Sequence, residues 1–319
     1  MTSVLNEAYF HDEAAAFETL EAILWPKGPT CPLCGATDRI SPLKGVRGKP
    51  NKKHPEGEVR LGLWKCYHCR GQFRVTKGTV FESAHLKLHQ WFQAAYLLCS
   101  SKKGCSSNQL ARTLNITVKS AWFASHRIRE AMRAGDLTVP FGTGGGPVEA
   151  DETFLGKKKG AERRAAYHHK MKILTLIDRN TKQAKSVVVQ RLHLSELGPI
   201  IRKNIAKEAH LMTDEARHYI VIGKEFAGHS PVVHGMDEYV RGDAHCNTAE
   251  GFFSIFKRGM RGVYQHCDEK HLHKYLAEFD FRYNHRVALG VNDAARTVKA
   301  LAGIRGKRLY YREPIGNRS

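Results

Sequence analysis

Three acids, an amide and a lysine in the second half of the chain have the types and spacing for metal-dependent phosphate chemistry. Asp151 lies in the alternating stretch VEADETFLG, Asp214 closes another, HLMTDEA, and Glu250 follows after 35 intervening residues. Around it, in GDAHCNTAEGFFSIFKRGMRG, Asn247, Glu250, Ser254 and Lys257 recur at offsets of three, four and three. On a helix such offsets return to one face. Phe252, Phe253, Ile255 and Phe256 fall between them and would pack inward. Carboxylates at the ends of neighbouring strands, with another on a helix laid over them, can converge. Three of them within ~4 Å repel by about 4 kcal/mol per pair at an effective dielectric of 20, so divalent cations are the natural filling. Mg²⁺ takes few carboxylates and keeps positions open for water and phosphate oxygens. A pair of such ions about 3.5–4 Å apart can activate a nucleophile and stabilise the leaving oxygen of a phosphodiester.

A second constellation is made of thiols. Cys31 and Cys34 form one C-x2-C pair, Cys66 and Cys69 another, with 31 residues between the pairs. Two knuckles of this kind complete a tetrahedral site, and the spacing predicts a structural zinc ribbon over residues 31–80. A redox dithiol needs only one such pair and a thioredoxin-like context, which is absent. Cys99, Cys105, Cys246 and Cys267 are scattered and read as packed thiols. The insert between the knuckles, KGVRGKPNKKHPEGEVR, has six Lys/Arg and two Glu, suited to phosphate contact or to plain solvation.

The elements that must position these groups follow from periodicity. Residues 1–30 contain a short amphipathic helix ended by Pro26 and Gly28. Residues 86–101 read as a buried helix. Ser106 and Gln109 then form a capping-box pattern, and a second helix runs from about Val118 to Arg133. The pair, within residues 85–140, reads as a helix-turn-helix whose second helix presents Lys119, Ser120, Ser125, His126, Arg127 and Arg129 to DNA. FGTGGGP, residues 141–147, reads as a linker. Beyond it, residues 148–290 give three strands, then helix, strand, helix, strand, helix: an α/β domain with a mixed sheet flanked by helices. The fifth strand is expected at VVHGM, and residues 291–319 as a C-terminal tail. Asp178 falls in a strand-connecting turn and reads as turn chemistry. Glu152 should face away from Asp151, because strand neighbours alternate. Glu215, Asp237 and Asp243 read as surface acids, and Lys157–Lys159, Arg163, Arg164 and Lys170 as a basic tip.

Charge points the same way. The 319 residues hold 51 Lys+Arg against 31 Asp+Glu, a net charge of +20. Such an excess favours a polyanionic partner, most often nucleic acid. No apolar run approaches the ~20 residues of a membrane span, and the N-terminus lacks a signal-peptide pattern, so a cytoplasmic protein, nucleoid-associated when bound to DNA, is expected.

The order of the motifs ADETFLGKKKG, MTDEA, HCNTAEGFFSIFKRGMRGVYQH and EFDFRYNHR resembles the DDE-type transposases of bacterial insertion sequences, and more narrowly their ISXO-type group with an N-terminal zinc ribbon. The resemblance implies an RNase H-like catalytic domain and an N-terminal region that binds terminal inverted repeats. It implies cleavage and strand transfer with Mg²⁺ or Mn²⁺, and a homo-oligomer on DNA. It places Asp151 and Asp214 as the first two acids. Glu250 matches the third by interval, with Lys257 seven residues on as a DNA contact; members with Asn at the third position leave Asn247 as a supporting or sharing ligand. A non-catalytic DNA-binding regulator derived from a transposase is the alternative.

Overall fold

The computed structural model describes residues 3–162, 167–232 and 246–309. Two compact units emerge: one from Met1–Ser101, Cys105–Met132 and Asn292–Ser319, the other from Lys102–Gly104 and Arg133–Val291.

The first unit begins with helix α1, Glu13–Leu24, whose N-cap Asp12 accepts from the Ala15 N–H. The ribbon follows as three short antiparallel strands in the order β1-β2-β3: Ile40–Pro42, Trp64–Cys66 and Gln72–Phe73. Its basic insert folds back on itself through the Arg47↔Val59 bridge. Helices α2 (Leu88–Ser100), α3 (Ser107–Leu114) and α4 (Val118–Met132) come next. Ser106 caps α3 by accepting from the Gln109 N–H, and Asn115 ends it in the left-handed region, φ 52°, where Asn is tolerated. The helix-turn-helix pattern therefore folds as a helical hairpin, but its expected DNA face is corrected. Ser125, His126, Arg127 and Arg129 are buried, and Lys119 and Ser120 are exposed. Arg127 donates to the carbonyls of Val80 and Glu82 and lies over the Phe123 ring; Arg129 donates to Ser125 Oγ. From Ala124 onward the helix is enclosed on every side, so its cations act as internal hydrogen-bond donors.

The segment expected as a tail also differs. Residues Asp293–Ala302 form helix α9, capped by Asn292, with Arg296, Thr297, Ala300 and Leu301 turned inward. It packs on α2, where Arg296 donates to the Cys99 carbonyl at 2.8 Å. The buried positions recur at helical spacing, a pattern that a short C-terminal stretch easily conceals.

The second unit is built on a five-stranded mixed sheet, order β6-β5-β4-β7-β8. Its strands are β4 (Pro147–Leu155), β5 (Met171–Asp178), β6 (Gln183–Val189), β7 (His210–Asp214) and β8 (Gly228–Val232). β4, β5 and β6 are antiparallel neighbours, whereas β4–β7 and β7–β8 are parallel. Strand β5 is buried along its whole length, as a strand covered on both faces must be. Helices α5 (Leu194–Asn204) and α6 (Arg217–Gly223) cover one face with Val148, Ala150, Leu174 and Leu176. Helices α7 (Asn247–Gly259) and α8 (Glu269–Asn284) cover the other with Leu155, Ile173 and Ile177. Strand β8 takes in Val232, the first residue of VVHGM, and begins at Gly228; residues 233–236 of that expectation fall outside the described residues. Gly228 and Pro231 disguise β8 as a turn, yet Pro is tolerated at a sheet margin.

FGTGGGP is built into this unit instead of hanging free. Phe141 is buried and bridges to Ile205, and the Gly142 N–H donates to Asp178 Oδ2 at 2.8 Å. Gly142 has φ +74°, and a Cβ there would stand 2.4 Å from the Ala209 Cβ, so glycine is required on both counts. Asp178 Oδ1 meanwhile accepts from the Thr181 N–H, which is the turn chemistry expected of it.

Helix α8 is clamped to strand β6. Asn284 both accepts from and donates to the Ala184 backbone, and Asp280 accepts from the N–H and hydroxyl of Ser186 at 2.8 and 2.7 Å. Burial pushes the Asp280 carboxyl up to about 7, against the lowering effect of those two bonds. An acid raised in the folded state keeps its proton while the unfolded chain, at its ordinary value near ~3.9, has lost it. Stability therefore falls as pH rises from about 4 to about 7. Asp280→Asn is expected to flatten that slope; urea unfolding midpoints between pH 4 and 8 measure it, and an unchanged slope would count against the assignment.

Candidate metal and nucleic-acid site

The acidic site is set by strand register. β4 and β7 run parallel with Glu149 opposite Met212. Two residues further along each strand come Asp151 and Asp214. Both keep the parity of that pair, so they share the sheet face that carries α7. Asp214 ends its strand, and its Oδ1 accepts from the Ala216 N–H at 3.1 Å, fixing the carboxylate across the turn into α6. Asp151 accepts from the Glu152 N–H at 2.7 Å.

Helix α7 brings the rest. Ala249, Phe252, Phe253 and Phe256 are buried against the sheet and α8, whereas Asn247, Glu250 and Ser254 are exposed and Lys257 is half-buried. The amphipathic pattern is thus realised, with Ile255 at the margin. The Asp151 carboxyl is pushed up to about 7, first by burial, then by the charge of Glu152, with Asp214 and Glu250 adding to it. Asp151 in its strand thus feels the charge of an acid at a strand end and of another on a helix. Hard oxygen donors crowded on one face fit a divalent cation. Their oxygens do not stand as close as the ribbon thiols: among the described residues, the group whose ligand atoms all lie within 4.8 Å of one another is Cys31, Cys34, Cys66 and Cys69.

Positive charge adjoins the acids. The Lys257 ammonium is lowered, first by burial, then by Arg261, with Lys170 adding to this and Asp151 opposing it. Lys170 comes from the basic tip, of which residues 163 and 164 lie outside the described residues, as do Asp237 and Asp243. Lys158 is engaged elsewhere, with Glu269 at 2.8 Å. Cys246 is buried ahead of α7, its thiol pushed up first by burial and then by Asp151, as a packed thiol would be. Glu152 does point to the opposite face, where its Oε1 pairs with Nε2 of His218 on α6 at 3.1 Å. Strand β4 thus also reaches the helix that follows Asp214. Sequence reasoning missed His218 and the buried Glu149, because alternation tells which face a residue takes but not what it meets there.

In the first unit, Cys31 and Cys69 stand 3.7 Å apart between sulfurs, as do Cys34 and Cys66. A ZnS₄ tetrahedron with bonds of ~2.3 Å has edges of about 3.8 Å, so the thiols fit a structural Zn²⁺. No helix among the described residues is long and apolar enough to cross a membrane.

A mixed sheet flanked by helices, with one acid within its central strand and another at the end of the parallel neighbour, is the architecture of an RNase H-like domain. Residues 144–284 match the family model of the ISXO2-like transposase domain, and residues 11–72 that of the transposase zinc-ribbon domain. A protein of Halobacterium salinarum, described as an uncharacterized protein in transposable element ISH50, is 28% identical over 298 residues, covering 86% of this chain and 91% of its own. The chain belongs to the DDE-type insertion-sequence transposases of the ISXO type, with a zinc ribbon ahead of the transposase domain.

Proposed function

We propose that the protein is an active DNA transposase that binds the ends of its insertion sequence and catalyses phosphodiester cleavage and strand transfer. The observation that carries this reading is the common face: Asp151 and Asp214 on parallel neighbours, under the helix that presents Glu250. Asp151, Asp214 and Glu250 would hold the divalent cations, Mg²⁺ or Mn²⁺, with Asn247 supporting or sharing the third position. Such ions supply charge neutralisation and a lowered water pKa. The protein's own part is positioning. Asp214 is held by its turn and Asp151 by the sheet, and α7, packed on that sheet, carries Glu250. Lys257, with Lys170 and Arg261 near it, would hold a phosphate of the bound strand beside the acids. Water oxygen attacks phosphorus and the P–O3′ bond breaks, leaving a 3′-hydroxyl; that hydroxyl then attacks a target phosphorus and displaces the next 3′-oxygen. No covalent protein intermediate is needed. The ribbon and the helical hairpin would recognise the terminal inverted repeats, and paired cutting of two ends calls for a homo-oligomer on DNA.

The third position is tested by comparing Glu250→Gln with Asn247→Ala in strand transfer, using the DNA that bounds the gene as donor ends. Glu250→Gln is expected to lose at least ~10²-fold, because a carboxylate is the better ligand for a hard cation, and Asn247→Ala roughly tenfold. The reverse order would assign the position to Asn247. Joining that is intact in both, and in Asp151→Asn, would leave a DNA-binding regulator as the reading.

A further inference from the structure

A buried acid bonded to the residue beside Glu250 has no part in the roles above. Glu149 lies on β4 two residues before Asp151, on the same sheet face, and is 0% exposed. Its Oε1 accepts from Arg179 Nε at 2.6 Å, and its Oε2 from the backbone N–H of Ala249 at 2.9 Å. Ala249 is in the first turn of α7, where backbone N–H groups have no partner within the helix. Cys246, in the N-cap position, makes no side-chain capping bond. The cap is delivered from the sheet instead. A carboxylate at a helix N-terminus also complements the helix dipole. A buried carboxylate is costly unless balanced, and Arg179 supplies the countercharge. Arg179 is itself fixed to β4, since its backbone N–H donates to the Pro147 carbonyl at 3.1 Å.

The consequence is geometric. Apolar packing of Phe252, Phe253 and Phe256 holds α7 on the sheet but is non-directional, so it leaves sliding and rotation weakly opposed. Rotation by one residue, about 100°, would carry Glu250 off the acid face. A charge-assisted bond from β4 to the residue before Glu250 removes that freedom.

We propose that Glu149 is the positioning residue of the acidic site: it sets the height and rotation of α7 on β4, so that Glu250 meets Asp151 and Asp214. The proposal rests on the reading of these three acids as an ion site. Its test uses the full chain, first without DNA or added divalent metal. In Glu149→Gln, which keeps the shape and loses the charge, amide exchange over residues 247–253 should accelerate about tenfold while the melting temperature stays within a few degrees. Mn²⁺ alone, followed by its electron paramagnetic resonance, should bind about tenfold more weakly, the scale of lost support around a ligand. Arg179→Gln reaches the same tether from outside the strand and should reproduce both effects, which keeps the test open if Glu149→Gln folds poorly. Unchanged exchange and unchanged Mn²⁺ binding in either folded variant overturn the proposal. Asp151→Asn separates the two readings: it should weaken Mn²⁺ binding and leave α7 exchange alone. Intact Mn²⁺ binding in Asp151→Asn, with faster exchange in Glu149→Gln, would leave the tether standing and remove the ion site it serves.

Discussion

Asp151→Asn is expected to lower strand transfer by about 10³-fold or more, a barrier increase of ~4 kcal/mol, with end-DNA binding unchanged. The direction follows from where the side chain sits. Asp151 is on the central strand, paired on both sides, and shares its face with Asp214 and α7. Its Oδ1 already accepts from the Glu152 N–H, so the group cannot turn away to make room for another ligand without losing that bond. Asn preserves shape and hydrogen bonding and removes only the charge, so folding should survive. Burial and the neighbouring acids act against that charge in the folded chain, which makes the substitution neutral or favourable for stability. Loss of catalysis without loss of stability distinguishes a ligand from a structural acid. Asp214→Asn should behave alike. Strand transfer and band-shift assays on the same preparations measure both halves, and joining within threefold of the unsubstituted protein would exclude Asp151 from the chemistry.

How much of this was legible beforehand depended on which interactions are local. The alternation in VEADETFLG and the stripe Asn247, Glu250, Ser254, Lys257 are periodic signals, and the structure realises both as strand and helix. The ribbon was legible because thiol spacing is itself a geometric constraint. What failed was reading exposure from residue type. Arg127 and Arg129 looked like a DNA face because they are cations on a helix after a turn; their burial depends on α2, α9 and residues 79–82 closing around α4. FGTGGGP looked free because glycines are common in linkers, although Gly142 is there for a close approach to Ala209. Glu149 stayed invisible for the same reason: its partners, Arg179 and Ala249, lie 30 and 100 residues away in sequence.

The ribbon offers the second large effect. Cys66→Ser should remove about one Zn²⁺ per chain and unfold residues 31–75, with loss of end-DNA binding. The reason is the size of the ribbon's own core. Cys31, Cys66 and Phe73 are buried together, with Trp25, Ala36, Ile40 and Trp64 only partly covered around them, and Leu63 and Val75 are the other buried hydrophobic side chains of residues 31–75. Full burial of one Phe is worth about 1.5–3 kcal/mol, and ordering a residue costs roughly 1–2 kcal/mol of backbone entropy, so a few side chains cannot order some forty residues. Three strands of two or three residues add little. Binding of Zn²⁺ by four thiolates contributes ~10–16 kcal/mol in small zinc domains, which is the missing stability. Helix α1 lends some support through the Glu21 carboxylate, which accepts from Trp64 Nε1 at 2.7 Å. That single bond contributes about 1 kcal/mol and cannot replace the metal. Metal analysis, together with limited proteolysis in the basic insert, reads the outcome. Cys99→Ser is the control, since Cys99 lies in α2 and has no place in the thiol cluster. Full zinc content and a protease-resistant ribbon in Cys66→Ser would mean that the fold stands without its fourth ligand.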